Sequence, residues 1–106
     1  METITRAKEI ANTIIEQIKY ADRSAMMAWG ASRFLTVPES NEFQGGISFY
    51  VNGLKFKGFV TIKLRWVDDY TITFMNRRKV IVKTFEGAYC DMLVPVIDWV
   101  EKGDKL

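Results

Sequence analysis

The residues with the most distinctive chemistry are the basic side chains in the middle of the chain. Residues 47–85 hold eight basic and two acidic residues, a local charge of +6, although the whole chain carries +2. Phe59 adds an aromatic ring among these cations. A cationic surface with an exposed ring can follow a phosphate backbone and stack a base on the ring. The pattern therefore indicates a binding surface for nucleic acid or for another anionic partner.

These basic residues fall on one side of the predicted strands, or in the turn after them, because they alternate with apolar residues. The candidate binding residues are Lys55, Lys57, Phe59, Lys63, Arg65, Arg77, Arg78, Lys79 and Lys83. A plain solvated surface is the alternative interpretation, since an outward sheet face also uses lysine and arginine for solubility and edge protection. Outward aromatic residues at Phe59 and Tyr50 favour a function, whereas the signature motif of RNA-recognition sheets is missing from the sequence.

The sequence lacks the residues of several common catalytic sites. It contains no histidine and one cysteine, Cys90. The absence of histidine excludes Ser-His-Asp and Cys-His nucleophile pairs and every metal site that needs imidazole. Glycine-rich phosphate loops are also missing. We therefore expect no catalytic residues, no cofactor and no metal, and we predict that the protein is not an enzyme.

Two other groups could act as acids or nucleophiles. Asp68 and Asp69 are adjacent, but aspartate is typical of tight turns, where it makes local hydrogen bonds. Cys90 lacks the histidine base that usually activates a catalytic thiol, so we interpret it as a buried structural cysteine. Catalysis would require a cleft in which these three side chains converge.

The N-terminal part of the chain is typical of a helix. Apolar residues recur at spacings of three and four over residues 7–18, which lines one helical face. Thr3 or Thr5 is the expected N-cap. Asp22 is expected to start a second short helix that ends at Gly30, so this region is either one helix or a helix pair.

The clearest local signal predicts a β-hairpin. Apolar and polar residues alternate on both sides of an Asn-Gly pair at 52–53, which is typical of a two-residue type I′ turn. Such a turn pairs Val51 with Leu54 and Phe49 with Phe56, which places all four on one face.

Further strands are predicted on both sides of this hairpin. Residues 34–37 are expected to form a short strand, and residues 39–46 are typical of a loop. A three-residue turn at 67–69 would place Trp66 opposite Tyr70, and residues 76–79 turn the chain again.

The last predicted strand has two registers. We expect Val80 and Val82 to face inward and Lys83 to face outward, because the other register would bury a lysine.

The final element is a helix with an apolar stripe over residues 89–100, stopped by Gly103. Pro95 means that either the helix bends there or its regular part begins near Asp91. Together these elements predict a single α+β domain over residues 1–106. It has an N-terminal helix or helix pair, a four- to five-stranded antiparallel meander, and a C-terminal helix packed on the apolar sheet face.

Five stretches of the chain resemble small uncharacterised proteins encoded by bacterial phages and mobile elements. They are residues 10–18, 27–34, 46–51, 69–74 and 86–93. The resemblance implies a setting, and no activity comes with it for any residue. Small phage proteins often act by occupying a host surface, and inhibitors of host defence, including anti-CRISPR proteins, are one such class.

The expected function is therefore that of a non-catalytic binding protein that inhibits a host defence nucleoprotein such as a CRISPR effector. The alternative is an accessory protein that binds RNA or single-stranded DNA directly through the basic sheet face. The expected partners are a host protein or nucleoprotein, or nucleic acid, but no membrane. Apolar residues on several sides of the last helix also leave a homodimer open. With no signal peptide and no apolar run of ~18 residues, we expect a location in the host cytoplasm.

Overall fold

Helices and a five-stranded antiparallel sheet make up the part of the chain that the structure, a computed structural model, describes, which is residues 2–53 and 56–102. The elements are α1 (Glu2–Ala21), α2 (Ala25–Ala28), β1 (Ser32–Val37), β2 (Phe43–Asn52), β3 (Lys57–Arg65), β4 (Tyr70–Asn76), β5 (Ile81–Ala88), a 3₁₀ turn (Cys90–Met92) and α3 (Leu93–Lys102). Each strand pairs with the next one in the chain. The predicted α+β meander is confirmed, with five strands.

The sheet has an inner face, which packs against the helices, and an outer face. Inner residues such as Phe49, Ile62 and Ile72 are fully buried and form one core with Ile14 of α1 and Ile97 of α3. Side chains alternate along a strand, so the residues between these core positions point to the outer face. No described helix contributes to that outer side.

The helical region is a pair of helices rather than one. Asp22 Oδ1 accepts hydrogen bonds from the amide and the hydroxyl of Ser24, at 3.0 and 2.9 Å, and separates α1 from α2. Gly30, at φ +63°, ends the second helix as predicted. Helix α1 begins at Glu2, so the prediction of a cap at Thr3 or Thr5 is wrong.

The β2–β3 hairpin has a longer loop than the Asn-Gly pair predicts. Asn52 pairs with Lys57, and the amide of Gly53 donates to the carbonyl of Phe56 at 3.0 Å. Phe49 pairs with Val60, not with Phe56. The predicted pairing of Val51 with Leu54 involves a residue outside the described ones, and Val51 pairs with Gly58. The register moves by an even number of residues, so the predicted faces are retained.

The β3–β4 register differs in the same way. Leu64 pairs with Tyr70, so Trp66 is not opposite Tyr70 as predicted. The amide of Arg65 donates to the carbonyl of Asp69 at 2.8 Å, which closes the turn two residues earlier. The apolar residues again stay on the inner face.

The predicted loop over residues 39–46 is shorter, because β2 begins at Phe43. Gly45 has φ +147°, and a Cβ there would lie 3.4 Å from the Cα of Ala7 in α1. A Cβ at Gly46 would overlap the carbonyl oxygen of Ile62. The two glycines therefore allow close packing inside a strand, a use that composition does not distinguish from a loop.

The predicted side-chain directions at the start of β5 are wrong. Val80 and Val82 are 56 % and 52 % exposed, and the pairing with β4 is irregular between Phe74 and Met75. The irregularity places Lys83 opposite Phe74, an inner residue, so Lys83 lies on the inner side of the sheet edge rather than on the outer face.

The C-terminal helix does not bend at its proline. A 3₁₀ turn over Cys90–Met92 leads into α3 at Leu93, and Pro95 falls in the first helical turn, where its missing amide costs little. This outcome agrees with the predicted start near Asp91. The predicted stop at Gly103 lies outside the described residues.

Candidate functional site

The outer face consists of rows of side chains that run across the strands at right angles to the chain. One row has Ser32, Tyr50, Phe59, Met75 and Ile81; the next has Leu35, Ser48, Thr61, Thr73 and Thr84; a third has Val37, Gly46, Lys63 and Thr71. Aromatic and sulfur-bearing side chains therefore occupy one end of the face, hydroxyl groups its middle, and a lysine its other end.

Two aromatic rings and two cations form a compact group at the first end. Tyr50 and Phe59 are register partners, and their ring centres lie 5.4 Å apart at an interplanar angle of 71°. The guanidinium carbon of Arg33 lies 5.1 Å from the Tyr50 ring centre, and the Lys79 ammonium nitrogen lies 5.6 Å from that of Phe59. We call these four residues the aromatic–cation quartet. Both rings are partly buried, whereas both cations are exposed.

The two cations of the quartet come from backbone positions that disfavour them. Arg33 has φ +56° and Lys79 has φ +64°. Residues other than glycine and asparagine rarely adopt this left-handed backbone region. Arg33 lies at the irregular pairing between β1 and β2. Lys79 ends the β4–β5 turn, where Asn76 Oδ1 accepts the amides of Arg78 and Val80 at 2.9 and 3.1 Å. The turn geometry therefore carries Lys79 toward the ring of Phe59.

A second aromatic–cation pair lies at the other end of the outer face. The Lys63 ammonium nitrogen is 4.9 Å from the centre of the Phe43 ring. Beside it is a cavity of about 400 Å³, which we call the Phe43 recess. Its lining residues are Asn41, Glu42, Phe43, Arg65, Trp66, Val67, Thr71 and Glu86.

Arg65, unlike the other cations of the face, is held by a carboxylate. Its Nε and a terminal nitrogen donate to the two carboxylate oxygens of Asp69, at 2.5 and 2.7 Å. This bond lowers the pKa of the Asp69 carboxyl and raises the pKa of the Arg65 guanidinium. Arg65 is therefore a wall of the recess and is poorly placed to bind a phosphate.

Hydroxyl groups form the middle of the face. The Thr61 hydroxyl donates to Ser48 Oγ at 3.3 Å, and Thr73 and Thr84 continue the row toward β5. Thr61 is 8 % exposed although no described helix covers it, so neighbouring side chains of the sheet shield it. This row lies between the row of Tyr50 and Phe59 and the row of Lys63.

The structure brings together most of the predicted binding residues. Lys57, Phe59 and Lys63 lie on the outer face of β3 at alternate positions, and Arg77 and Arg78 are exposed in the turn that holds Lys79. Lys55 lies outside the described residues. Lys83 does not join this face, as reported above.

Sequence reasoning missed two residues of this face. Arg33 was not expected there because its position depends on an irregularity in β1. Phe43 was assigned to a loop, although it begins β2. An aromatic residue two positions before a glycine pair was the available signal, but it is weak.

The remaining candidate groups do not converge on one cleft. Asp69 is bound to Arg65, and the Asp68 carboxylate accepts a hydrogen bond from the Gln44 amide at 3.0 Å, so the turn interpretation of both is supported. Cys90 is exposed, which corrects the prediction of a buried cysteine. It lines a separate cavity of about 500 Å³ between α1 and the 3₁₀ turn, together with Gln17, Tyr20 and others.

The outer face offers rings on which a flat group can stack and cations that attract an anion. An exposed cation–π contact is worth about 0.5–1 kcal/mol, whereas a base stacked on an aromatic ring is worth about 1–3 kcal/mol. By these magnitudes, a base stacked on either ring would outweigh the contact that Arg33 or Lys79 makes with that ring. Among the described carboxylates, none lies within ion-pair distance of these two cations.

Two absences apply to the described residues only. They contain no group of three or more histidine, cysteine, aspartate or glutamate side chains arranged to hold a metal ion. No helix among them is both long and apolar enough to span a bilayer.

The chain matches no protein-family model, no curated protein and no solved structure. A role for the outer face therefore has to be inferred from the face's own residues.

Proposed function

We propose that the protein is a non-catalytic binding protein whose outer sheet face binds single-stranded nucleic acid. The observation that carries the proposal is the aromatic–cation quartet, in which two rings and two cations from four segments of the chain meet on a face that no described helix covers. Single-strand binding proteins combine the same two elements, a ring for the base and a cation for the backbone.

Charge on the face supports the same ligand. Lys57, Lys63, Arg77 and Arg78 have no described carboxylate within 4.0 Å, and the face has a paired cation in Arg65. Cations without a fixed partner are available to displace counterions from phosphates, which makes binding depend on salt.

The experiment is fluorescence anisotropy with fluorescein-labelled twelve-nucleotide RNA and DNA of mixed sequence, at about 50 and 200 mM salt. We expect saturable binding that weakens at least about tenfold at the higher salt, because several phosphate contacts are lost. A duplex of the same sequence is the matched control and should bind more weakly, since its bases cannot stack on the rings. Failure of both single strands to bind at low salt would contradict the proposal.

A second candidate is inhibition of a host nucleoprotein, such as a CRISPR effector, as the resemblance to phage proteins implies. The edge of the sheet favours a protein contact: Val80, Ile81 and Val82 are 56 %, 61 % and 52 % exposed, next to the cationic turn. Single-stranded nucleic acid does not need this apolar edge for binding. A protein partner that carries bound RNA could bury the apolar edge while the RNA contacts the cationic turn.

The two candidates differ in what they require from the chain. Binding to a purified effector, with and without its guide RNA, should be weakened in a Val82→Ser variant if the edge contacts protein. Binding of free oligonucleotides should be unaffected by that uncharged variant and weakened in Tyr50→Ala. If the edge variant keeps its affinity for the effector, the second candidate is excluded.

A further inference from the structure

We infer that the Phe43 recess is a second nucleotide subsite, which holds a base with an exocyclic amino group, cytosine, adenine or guanine. This inference rests on the proposed function, because it assigns a role to the far end of the same face. The recess holds about 400 Å³, within the range of pockets that bind small flat ligands.

The recess has an aromatic ring with a cation beside it. Phe43 lines it, with Lys63 4.9 Å from its ring centre. Lys63 lies four residues after Phe59 on the same face of β3, which corresponds to about 13 Å. A stacked strand advances about 3.4 Å per nucleotide, so about four steps cover this distance. A dinucleotide has a single step and is too short to occupy both ends.

The charges of the recess select a base rather than a phosphate. Glu42 and Glu86 line it, and its arginine, Arg65, is bound to Asp69. Carboxylates repel phosphate but accept hydrogen bonds from amino groups, as glutamate does from the N4 amino group of cytosine. Uracil and thymine lack an exocyclic amino group. The phosphates are therefore assigned to Lys63 and the quartet, and the amino-bearing base to the recess.

The test compares eight-nucleotide oligo(C) and oligo(U) RNA by anisotropy on the full chain. We expect oligo(C) to bind about tenfold more tightly, as one hydrogen bond to a charged acceptor allows. The Glu42→Gln/Glu86→Gln double variant should lose this preference. Phe43→Leu, which keeps an apolar side chain, should weaken eight-nucleotide ligands and leave the dinucleotide UpU, which has no amino-bearing base for the recess, unchanged in an NMR titration.

The outcomes separate this inference from the proposed function. If neither oligonucleotide binds, the proposed function itself fails. If both bind equally, or if the preference persists in the double variant, the chain binds nucleic acid but the recess does not select the base. If Phe43→Leu weakens UpU as much as oligo(C), the two subsites are not distinct. A thermal melt of each variant confirms that it is folded before its affinity is interpreted.

Discussion

Lys79 holds its ammonium group 5.6 Å from the centre of the Phe59 ring, although its backbone lies in a left-handed conformation that suits glycine. Arg33 shows the same combination over Tyr50, at 5.1 Å. Of the three non-glycine residues with positive φ among those described, two therefore deliver cations to this pair of rings. Backbone strain that persists in a fold often marks a functional site.

The first prediction concerns the ring of Tyr50. Tyr50→Ala should weaken oligonucleotide binding about 5- to 150-fold, because one stacked base is worth about 1–3 kcal/mol. Tyr50→Phe keeps the ring and should stay within about twofold of the original affinity. Tyr20→Ala is the matched control, since Tyr20 is 95 % exposed on α1, away from the sheet face. Equal affinity for Tyr50→Ala and Tyr20→Ala would remove Tyr50 from the site.

The second prediction separates function from stability at the β4–β5 turn. Lys79→Gly should leave the free energy of unfolding unchanged or raise it by up to about 1 kcal/mol, because glycine tolerates φ +64°. Arg78→Gly removes the same charge at a position without positive φ and should lower stability by about 0.5–1 kcal/mol. Oligonucleotide affinity should fall more in Lys79→Gly than in Arg78→Gly, because Lys79 belongs to the quartet. Urea unfolding and anisotropy measure both, and a Lys79→Gly protein less stable than Arg78→Gly would refute the assignment of strain.

The third prediction is a dependence of stability on pH from the Arg65–Asp69 pair. The pKa of Asp69 is lowered in the folded protein, first by its hydrogen bond from Arg65. The unfolded chain therefore takes up this proton at a higher pH, and the free energy of unfolding falls as pH decreases below about 4. In Asp69→Asn, urea unfolding between pH 6 and pH 2.5 should show a shallower decrease. If the pH dependence of the free energy of unfolding is unchanged in this variant, the Asp69 carboxyl does not contribute to it.

The fourth prediction tests the close approach of β2 and β3. Gly46→Ala should lower the free energy of unfolding by about 1–3 kcal/mol or more, because the new Cβ overlaps the carbonyl oxygen of Ile62 and backbone must move. Gly87→Ala is the comparison, since it has φ +74° but its nearest neighbour, Asp69 Oδ2, would be 3.8 Å away. It should cost about 1 kcal/mol from the backbone alone. Equal costs in urea unfolding would show that no overlap exists at Gly46.

The faces of the central strands could be predicted from the sequence because they depend only on alternation. Phe49 was assigned to one face and Phe59 and Lys63 to the other, and these assignments hold although both registers were wrong. Each register error was an even number of residues, and an even shift does not exchange the faces. Turn residues alone do not set loop length when a hairpin also has to satisfy its neighbours.

The rest of the site depends on irregularities that alternation does not encode. Arg33 reaches Tyr50 from an irregular pairing in β1, and Lys83 leaves the outer face because of another between β4 and β5. Phe43 was placed in a loop because the glycines after it resemble one. Cys90 was expected to be buried from its residue type, but the chain exposes it in a 3₁₀ turn before α3.

The most direct test of the binding face is an NMR titration of the ¹⁵N-labelled protein with an unlabelled eight-nucleotide single-stranded RNA. The largest amide shifts should fall on outer-face residues of β2 and β3, such as Tyr50, Phe59 and Lys63, and they should be smaller in Tyr50→Ala at the same RNA concentration. Residues beside the other cavity, such as Tyr20 and Cys90, should not move. Shifts confined to the helical side of the molecule, or no shifts at low salt, would contradict binding of single-stranded nucleic acid by this face.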